Sequence, residues 1–383
     1  MATNDADVAA RGAGAPCDNR GMRIPPTGKA VTTCSERAVP TWSSKIFVRN
    51  GFLKCLFPNL LWFYCISHGQ VTPARPPSYP KNPYSHLKFE PYGPGQLTNE
   101  GKRQSYRLGQ YIRKHYKNFL SDNYYPGILR ATSTVNDRTN ASLQLFLAGL
   151  FPPKGELIWN PNLFWQPIPF VCEPKPTYTF FHASDFYKEF LPAYHQLHHD
   201  LHLSDVYKDV FQHIENYSGR KIDTSYDIFR IYGDLSQETE WGLQLPVWAS
   251  SIYPEPVTSI SALHFKITCG TPTLRNCTLR SPMEEIIENT LSSTRNISHV
   301  KLCLYACHAV NVAHFLIGFD SFTSHVPNYC SCLVLEVHRV DNKLYVQGLY
   351  KRNEKSHLEP IHMWGKNPCN IQDFVSSVKS NFK

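Results

Sequence analysis

The chain has 383 residues, 42% hydrophobic and 13% aromatic, enough apolar material for one large domain with an insertion or for two domains. A formal charge of +8 suits an anionic ligand but is modest for this length, and no Lys/Arg-rich run forms a nucleic-acid patch, so nucleic acid is set aside as a partner. The most apolar window, 52–66, is interrupted by Lys54, Pro58 and Asn59 and is too short to cross a bilayer, so no integral membrane span is expected.

In chain order, residues 1–47 are rich in Ala, Gly, Pro, Thr and charge and lack the apolar core of a signal peptide. They read as a disordered extension outside the folded unit. The run Leu60-Leu61-Trp62-Phe63-Tyr64 opens a buried strand over 60–66, which delivers Ser67-His68-Gly69 to a sheet rim. Thr98 can cap a long helix on which Tyr106, Gly109, Ile112, Tyr116 and Phe119 recur at helical spacing. A second helix is expected from about Thr139, with Ala141, Leu145 and Ala148 on one face.

The region 161–291 is aromatic, punctuated by Pro and mostly helical, for example over 185–203 and 206–218. It is expected to be a helical insertion forming one wall of a cleft. Further strands follow at 301–306, 332–337 and 343–349, the last two joined by His338-Arg339-Val340-Asp341-Asn342 as a hairpin. Strands alternating with helices argue an α/β fold: a sheet domain over 48–160 and 292–383, with the insertion beside it.

Four N-x-S/T sequons, at Asn140, Asn216, Asn276 and Asn296, and twelve cysteines lean towards the secretory pathway. Glycan is expected at Asn216, Asn276 and Asn296, in polar, loop-like surroundings, but not at Asn140 in the first turn of a helix. Cys303/Cys307 and Cys330/Cys332 lack zinc-type spacing. His195, His199 and His202, with His198 and Asp200, fall at i, i+4 and i+7 on a predicted helix, a spacing that can bind zinc. No Glu stands between the first two His, however, and a solvated or partly packed helix face is the favoured reading. No metal is expected.

A strand-end His68, Arg138 ahead of a helix and His308 after a later strand all gather at the edge where open α/β sheets bind ligands. His68 is a candidate nucleophile, and Arg138 sits where a helix N-terminus adds positive charge for an anion. Several segments then carry a resemblance to the histidine acid phosphatases of the animal lysosomal and prostatic type. They are Gly95-Gln96-Leu97-Thr98, Leu108-Gly109-Gln110-Tyr111-Ile112-Arg113, Asp137-Arg138-Thr139, Phe151-Pro152-Pro153, Ile158-Trp159-Asn160-Pro161, Trp165-Gln166-Pro167-Ile168-Pro169 and Leu245-Pro246-Val247-Trp248-Ala249. The resemblance spans about 60–382.

It implies a phosphoglycerate-mutase-like sheet with helices on both faces plus a smaller helical domain. It also implies a metal-independent and cofactor-free phosphomonoesterase, a phosphate monoester ligand, a secreted or lysosomal location and a homodimer. In that family the first strand ends in Arg-His-Gly-x-Arg-x-Pro, the His becomes phosphohistidine, a third Arg lies in the Asp-Arg-Thr segment, and a later His-Asp pair supplies a phosphate hydrogen bond and the general acid. His68, Gly69, Pro73, Arg138 and His308 match. Ser67, Val71 and Ala309 stand where the two Arg and the Asp are expected.

The resemblance thus implies a degenerate site, and a pseudophosphatase that retains phosphate binding is the leading expectation. A weak acid phosphatase and a purely structural protein are the alternatives. Arg75 could substitute for a missing Arg, although Pro76 and Pro77 restrict it. Of the three family disulfides, Cys332 and Cys369 match single halves whose partners align with Gln237 and Gly365, and a further pair is missing near Ala183. The remaining cysteines, Cys269 or Cys277 for instance, either re-pair or the disulfide frame is lost.

Overall fold

The computed structural model describes residues 48–49, 52–53, 60–74, 76–172, 187–295 and 299–382. The extension expected over 1–47 lies outside them, as do Arg75, Ala183 and Asn296. The strands are β1 (Val48–Arg49), β2 (Phe52–Leu53), β3 (Leu61–Ser67), β4 (Leu129–Ser133), β5 (Val171–Cys172), β6 (Leu302–Cys307), β7 (Cys332–Val340), β8 (Lys343–Lys351), β9 (Glu359–Ile361) and β10 (Cys369–Asn370). The helices are α1 (Asn99–His115), α2 (Asp137–Leu150), α3 (Phe190–Asp200), α4 (Leu203–Val206), α5 (Lys208–Ser218), α6 (Ser225–Glu240), α7 (Val257–Thr268), α8 (Pro272–Thr294), α9 (Ala309–Gly318) and α10 (Ile371–Asn381).

Eight strands form one mixed sheet in the order β10-β8-β7-β3-β6-β4-β5, with β9 on β8. β3, β6, β4 and β5 run parallel, while β7 pairs antiparallel with β3. β3 is apolar almost throughout because both of its faces are covered. Cys65 and Phe63 meet Leu279 and Met283 of α8, Phe315 of α9 and Phe374 of α10, while Tyr64 and Ile66 meet Ile112 of α1 and Phe146 of α2. The chain is therefore an α/β protein with helices on both faces of its sheet, as expected.

The Thr98 hydroxyl accepts from the Gly101 N–H and caps α1, which carries Glu100 in its first turn and Arg113, Lys114 and His115 in its last. α1 and α2 touch backbone to backbone. A Cβ on Gly109 would stand 2.1 Å from the Phe146 carbonyl oxygen, and one on Gly149 2.2 Å from that of Tyr106. The second helix starts at Asp137, two residues earlier than expected. Its buried stripe is Leu143, Phe146, Leu147 and Leu150; Ala141 and Leu145 are only half-buried.

Other expectations change. β7 runs on to Val340, so the hairpin turn is only Asp341-Asn342, both at positive φ as a tight two-residue turn of this hand requires. α3 stops at Asp200 because His202 takes a left-handed backbone, φ +47. His202 thereby leaves the helix that would have aligned it with His195 and His199. All three rings are exposed, whereas His198 turns inward and its Nε2 accepts from the Ser225 N–H at 2.9 Å. Among the described residues no three His, Cys, Asp or Glu side chains are grouped to hold a metal ion. Asn216 and Asn276 lie in α5 and α8 rather than in loops. No S–S bond joins the nine described cysteines in this structure, and Cys269 Sγ sits 3.4 Å from the Thr278 hydroxyl.

Two smaller cores fill the helices between β5 and β6, one among α5, α6 and α7 and one where α3 and α4 meet α7 and α8. Beside them His264 Nδ1 lies 3.1 Å from the Ser225 hydroxyl, and His314 Nε2 2.8 Å from that of Thr268. Burial first, then neighbouring His314 and His198, pushes His264 down to about 3, against a small opposing pull from Asp227; burial alone pushes His314 to about 4. Both rings are neutral when folded and gain a proton on unfolding below about pH 6.5. Their stabilisation is therefore complete above that pH and is lost as pH falls towards 4. At pH 5 each ring should cost about 2 kcal/mol. The urea midpoint should fall between pH 7 and 5, and His264→Gln should flatten that slope.

Candidate active site

The parallel strands β3, β4 and β6 end at one edge. His68 follows β3, Asn136 and Arg138 open α2 after β4, and His308 opens α9 after β6. This is the edge at which open α/β sheets bind ligands. One face of α6 (Phe229, Tyr232, Gly233, Ser236, Gln237 and Glu240) and the segment Val326 to Tyr329 complete a cleft of about 320 Å³.

The turn after β3 is held on three sides. The Gly69 N–H donates to Ser142 Oγ at 3.1 Å, and the Gln70 N–H to Gln104 Oε1 at 2.9 Å. A Cβ on Gly69 would stand 2.2 Å from the Gly101 carbonyl oxygen, so no larger residue fits after His68. Further on, the Ser78 N–H and hydroxyl both donate to Asp234 Oδ2 at 2.6 Å, and Asn82 Nδ2 donates to Glu238 Oε1 at 2.6 Å. One side of α6 thus pins the loop and another faces the cleft.

His68 Nδ1 lies 2.9 Å from the Gly69 carbonyl. A carbonyl only accepts, so Nδ1 carries the proton and Nε2 keeps its lone pair. Burial, and secondarily Arg138, pushes His68 down to about 3, with the Gly69 bond pulling weakly the other way. The ring is therefore neutral across the mildly acid range, with the Nε2 lone pair available. The His68 and His308 rings stand edge to face with centroids 5.5 Å apart. His308 Nε2 lies 3.3 Å from the Thr134 hydroxyl and 3.2 Å from the Asn136 amide, and the His308 N–H donates to Asn311 Oδ1 at 3.1 Å. Arg138 is the one Lys or Arg among the described residues lining the cleft, and burial lowers its pKa.

Tyr329 stacks obliquely 5.9 Å from His68, and burial, with Glu240 nearby, raises its phenol well above the usual range. Glu240 keeps solvent contact, but the protein around it raises its carboxyl above the usual range, against bonds from Tyr329 and Ser236.

Ser67, His68, Arg138, His308 and Ala309 line the one cleft. Val71 does not: it is 4% exposed and bridges Leu97. Glu240, Tyr329 and Asn136 escaped the sequence reading. For Glu240 a signal existed, since Thr224 and Asp227 form a capping box and residues 229, 232, 233, 236, 237 and 240 follow helical spacing.

This fold and this cleft belong to a known class. The chain is a member of the histidine acid phosphatase family, and its residues 52–219 match the Histidine phosphatase superfamily (branch 2). It is 31% identical to venom acid phosphatase Acph-1 of Apis mellifera over 74% of each chain. It is 30% identical to prostatic acid phosphatase of Bos taurus over 81% of this chain and 82% of that one. The Citrobacter braakii phytase shares the fold, with a TM-score of 0.64 at 15% identity over 85% of this chain and 98% of that one.

Titrated by NMR, His68 should stay neutral at about pH 5. Arg138→Gln should raise its pKa, because a positive neighbour is removed, while burial still holds it below the ordinary value of 6.5.

Proposed function

We propose that the cleft binds phosphate-bearing ligands through His68, Arg138 and His308, and that the chain turns them over poorly or not at all, as a pseudophosphatase. The observation that carries this reading is the charge inventory: Arg138 is the one guanidinium among the described lining residues. Phosphoryl transfer depends on positioning and on stabilising the equatorial oxygens. Each missing charged hydrogen bond is worth about 1.5–3 kcal/mol, or roughly 10- to 100-fold. A missing general acid at Ala309 costs about 10²–10⁴-fold.

A second reading, a weak acid phosphomonoesterase, draws support from Glu240. His68 Nε2 would attack phosphorus and form the P–N bond as the P–O bond breaks, the leaving oxygen taking a proton from Glu240. Water would then hydrolyse the phosphohistidine. The raised carboxyl of Glu240 makes it a proton donor in the acid range, which Ala309 cannot be.

The relatives named lysosomal, prostatic and venom acid phosphatases support a secreted or lysosomal location here. Asn216, exposed near the end of α5, then suits a glycan best, whereas the Asn140 Oδ1 is buried. For the homodimer, the exposed side chains of Trp159, Phe164 and Val171 offer an apolar surface that pairing would cover.

Calorimetry with inorganic phosphate should show binding that Arg138→Ala abolishes, and p-nitrophenyl phosphate should turn over at least ~10³-fold more slowly than with a typical family enzyme. Ordinary turnover that His68→Ala abolishes would overturn the pseudophosphatase reading, and no phosphate binding would remove both readings. Ser67→Arg with Ala309→Asp should recover more activity than either change alone. Val71→Arg should destabilise instead, because that side chain is packed.

If slow turnover dependent on His68 is found, Glu240→Gln should lower it a further ~10²-fold and remove the fall in rate on the high-pH side of its profile, where a donor carboxyl loses its proton. Phosphate affinity should persist in that variant or rise. An unchanged rate would rule Glu240 out as the donor.

A further inference from the structure

We infer that Cys65 and Cys307 form a disulfide beneath the cleft, tying together the two strands that carry His68 and His308. Cys65 lies in β3, three residues before His68, and Cys307 ends β6 directly before His308. In the parallel register Cys65 faces Tyr305 and Ser67 faces Cys307, so the two cysteines are diagonal neighbours. Both belong to the core on the same face of the sheet. Their sulfurs are 2.8 Å apart and both residues are wholly buried. A disulfide needs an approach of only about 0.75 Å more. Among the described residues they are the one pair of thiols in contact.

The exchange balances with a low-molecular-weight disulfide such as that of glutathione as oxidant. One cysteine thiolate attacks a sulfur of the oxidant, forming a mixed disulfide and expelling one small thiolate. The second cysteine thiolate attacks the protein sulfur of that mixed disulfide and expels the other. Two protein thiols are oxidised, one small disulfide is reduced to two thiols, and the two cysteine protons end, by way of solvent, on those two small thiols. Burial raises Cys65 well above the usual thiol range, so its thiolate is scarce in the closed sheet. Exchange therefore belongs to the stage before β3 and β6 close over their sulfurs. Once formed, the bond is shielded from reductants by the same packing. It bridges 242 positions of chain, so its loss releases a long loop in the unfolded state. None of this depends on whether the cleft hydrolyses phosphate.

The test uses the full chain, recovered from an oxidising secretory host and quenched in acid. Free thiols are blocked with N-ethylmaleimide in denaturant, and the chain is digested without reductant. The expected product is a peptide pair joined through Cys65 and Cys307, lighter than the two thiol peptides by two hydrogens and lost after reduction. Reductant should lower the thermal midpoint of the unmodified chain by roughly 5–10 °C, and the Cys65→Val/Cys307→Ala chain should show a clearly smaller drop. N-ethylmaleimide on both cysteines without prior reduction, or either one joined elsewhere, overturns the inference. So does an equal drop in both chains. If the double variant fails to fold, the peptide map of the unmodified chain decides alone.

Discussion

The cleft depends on one backbone contact, between the turn that follows β3 and the first turn of α1. Gly69 and Gly101 meet so closely that a side chain on either would strike a carbonyl oxygen. The cap of α1 belongs to the same contact. The Thr98 N–H donates to the Gln70 carbonyl, and the Thr98 hydroxyl donates to Gln70 Oε1 while accepting from the Gly101 N–H. α1 then lies on α2 through Gly109 and Gly149, and the first turn of α2 carries Arg138. The spacing of His68 and Arg138 is thus transmitted through α1 by two contacts that only glycine permits. That explains how His68 and Arg138 are held at one edge of the sheet.

Much of this frame was legible in the sequence, for physical reasons that differ by element. β3, β6, β7 and β8 announce themselves because strands covered on both faces must be apolar, and α1 because a threonine cap and a basic last turn bracket a periodic stripe. β4 was missed. Its five residues, Leu-Arg-Ala-Thr-Ser, carry no apolar run, and their strand state is imposed by parallel pairing with β6. Tyr329 was illegible for a similar reason, since nothing local marks a tyrosine that reaches His68 and Glu240 across long sequence distances. The zinc-like spacing of His195, His199 and His202 misled because periodicity assumes an unbroken helix, and a single left-handed residue ends that assumption.

On the proposed reading, the electrostatics of the cleft suit holding an anion better than processing one. Arg138 is partly withdrawn from water, so its charge is poorly solvated, and a bound phosphate would restore what burial removes. Neutral His68 adds a lone pair rather than a second positive charge. The N-terminus of α9, at Ala309, contributes a partial positive charge on the same side. Opposite them stands Glu240, which weakens an anion when ionised and can donate to it when protonated. On that reading, acid pH, which keeps Glu240 protonated, favours the anion.

The three departures from the family pattern are physically unlike one another. Ser67, itself 3% exposed, and Ala309 line the cleft at positions where the resemblance implies an Arg and an Asp. At Val71 the replacement is packed into the core beside Leu97, and a guanidinium there would have to be desolvated or the loop rebuilt. The absence of an acid at 309 also acts in two directions. Under the proposed function it would remove a proton donor for the leaving oxygen, and also a negative charge from beside the phosphate. On the proposed reading, turnover declines and retention of the anion need not. On that reading binding and catalysis would rest on different groups of one site, so a chain could lose the second while its fold still protects the first.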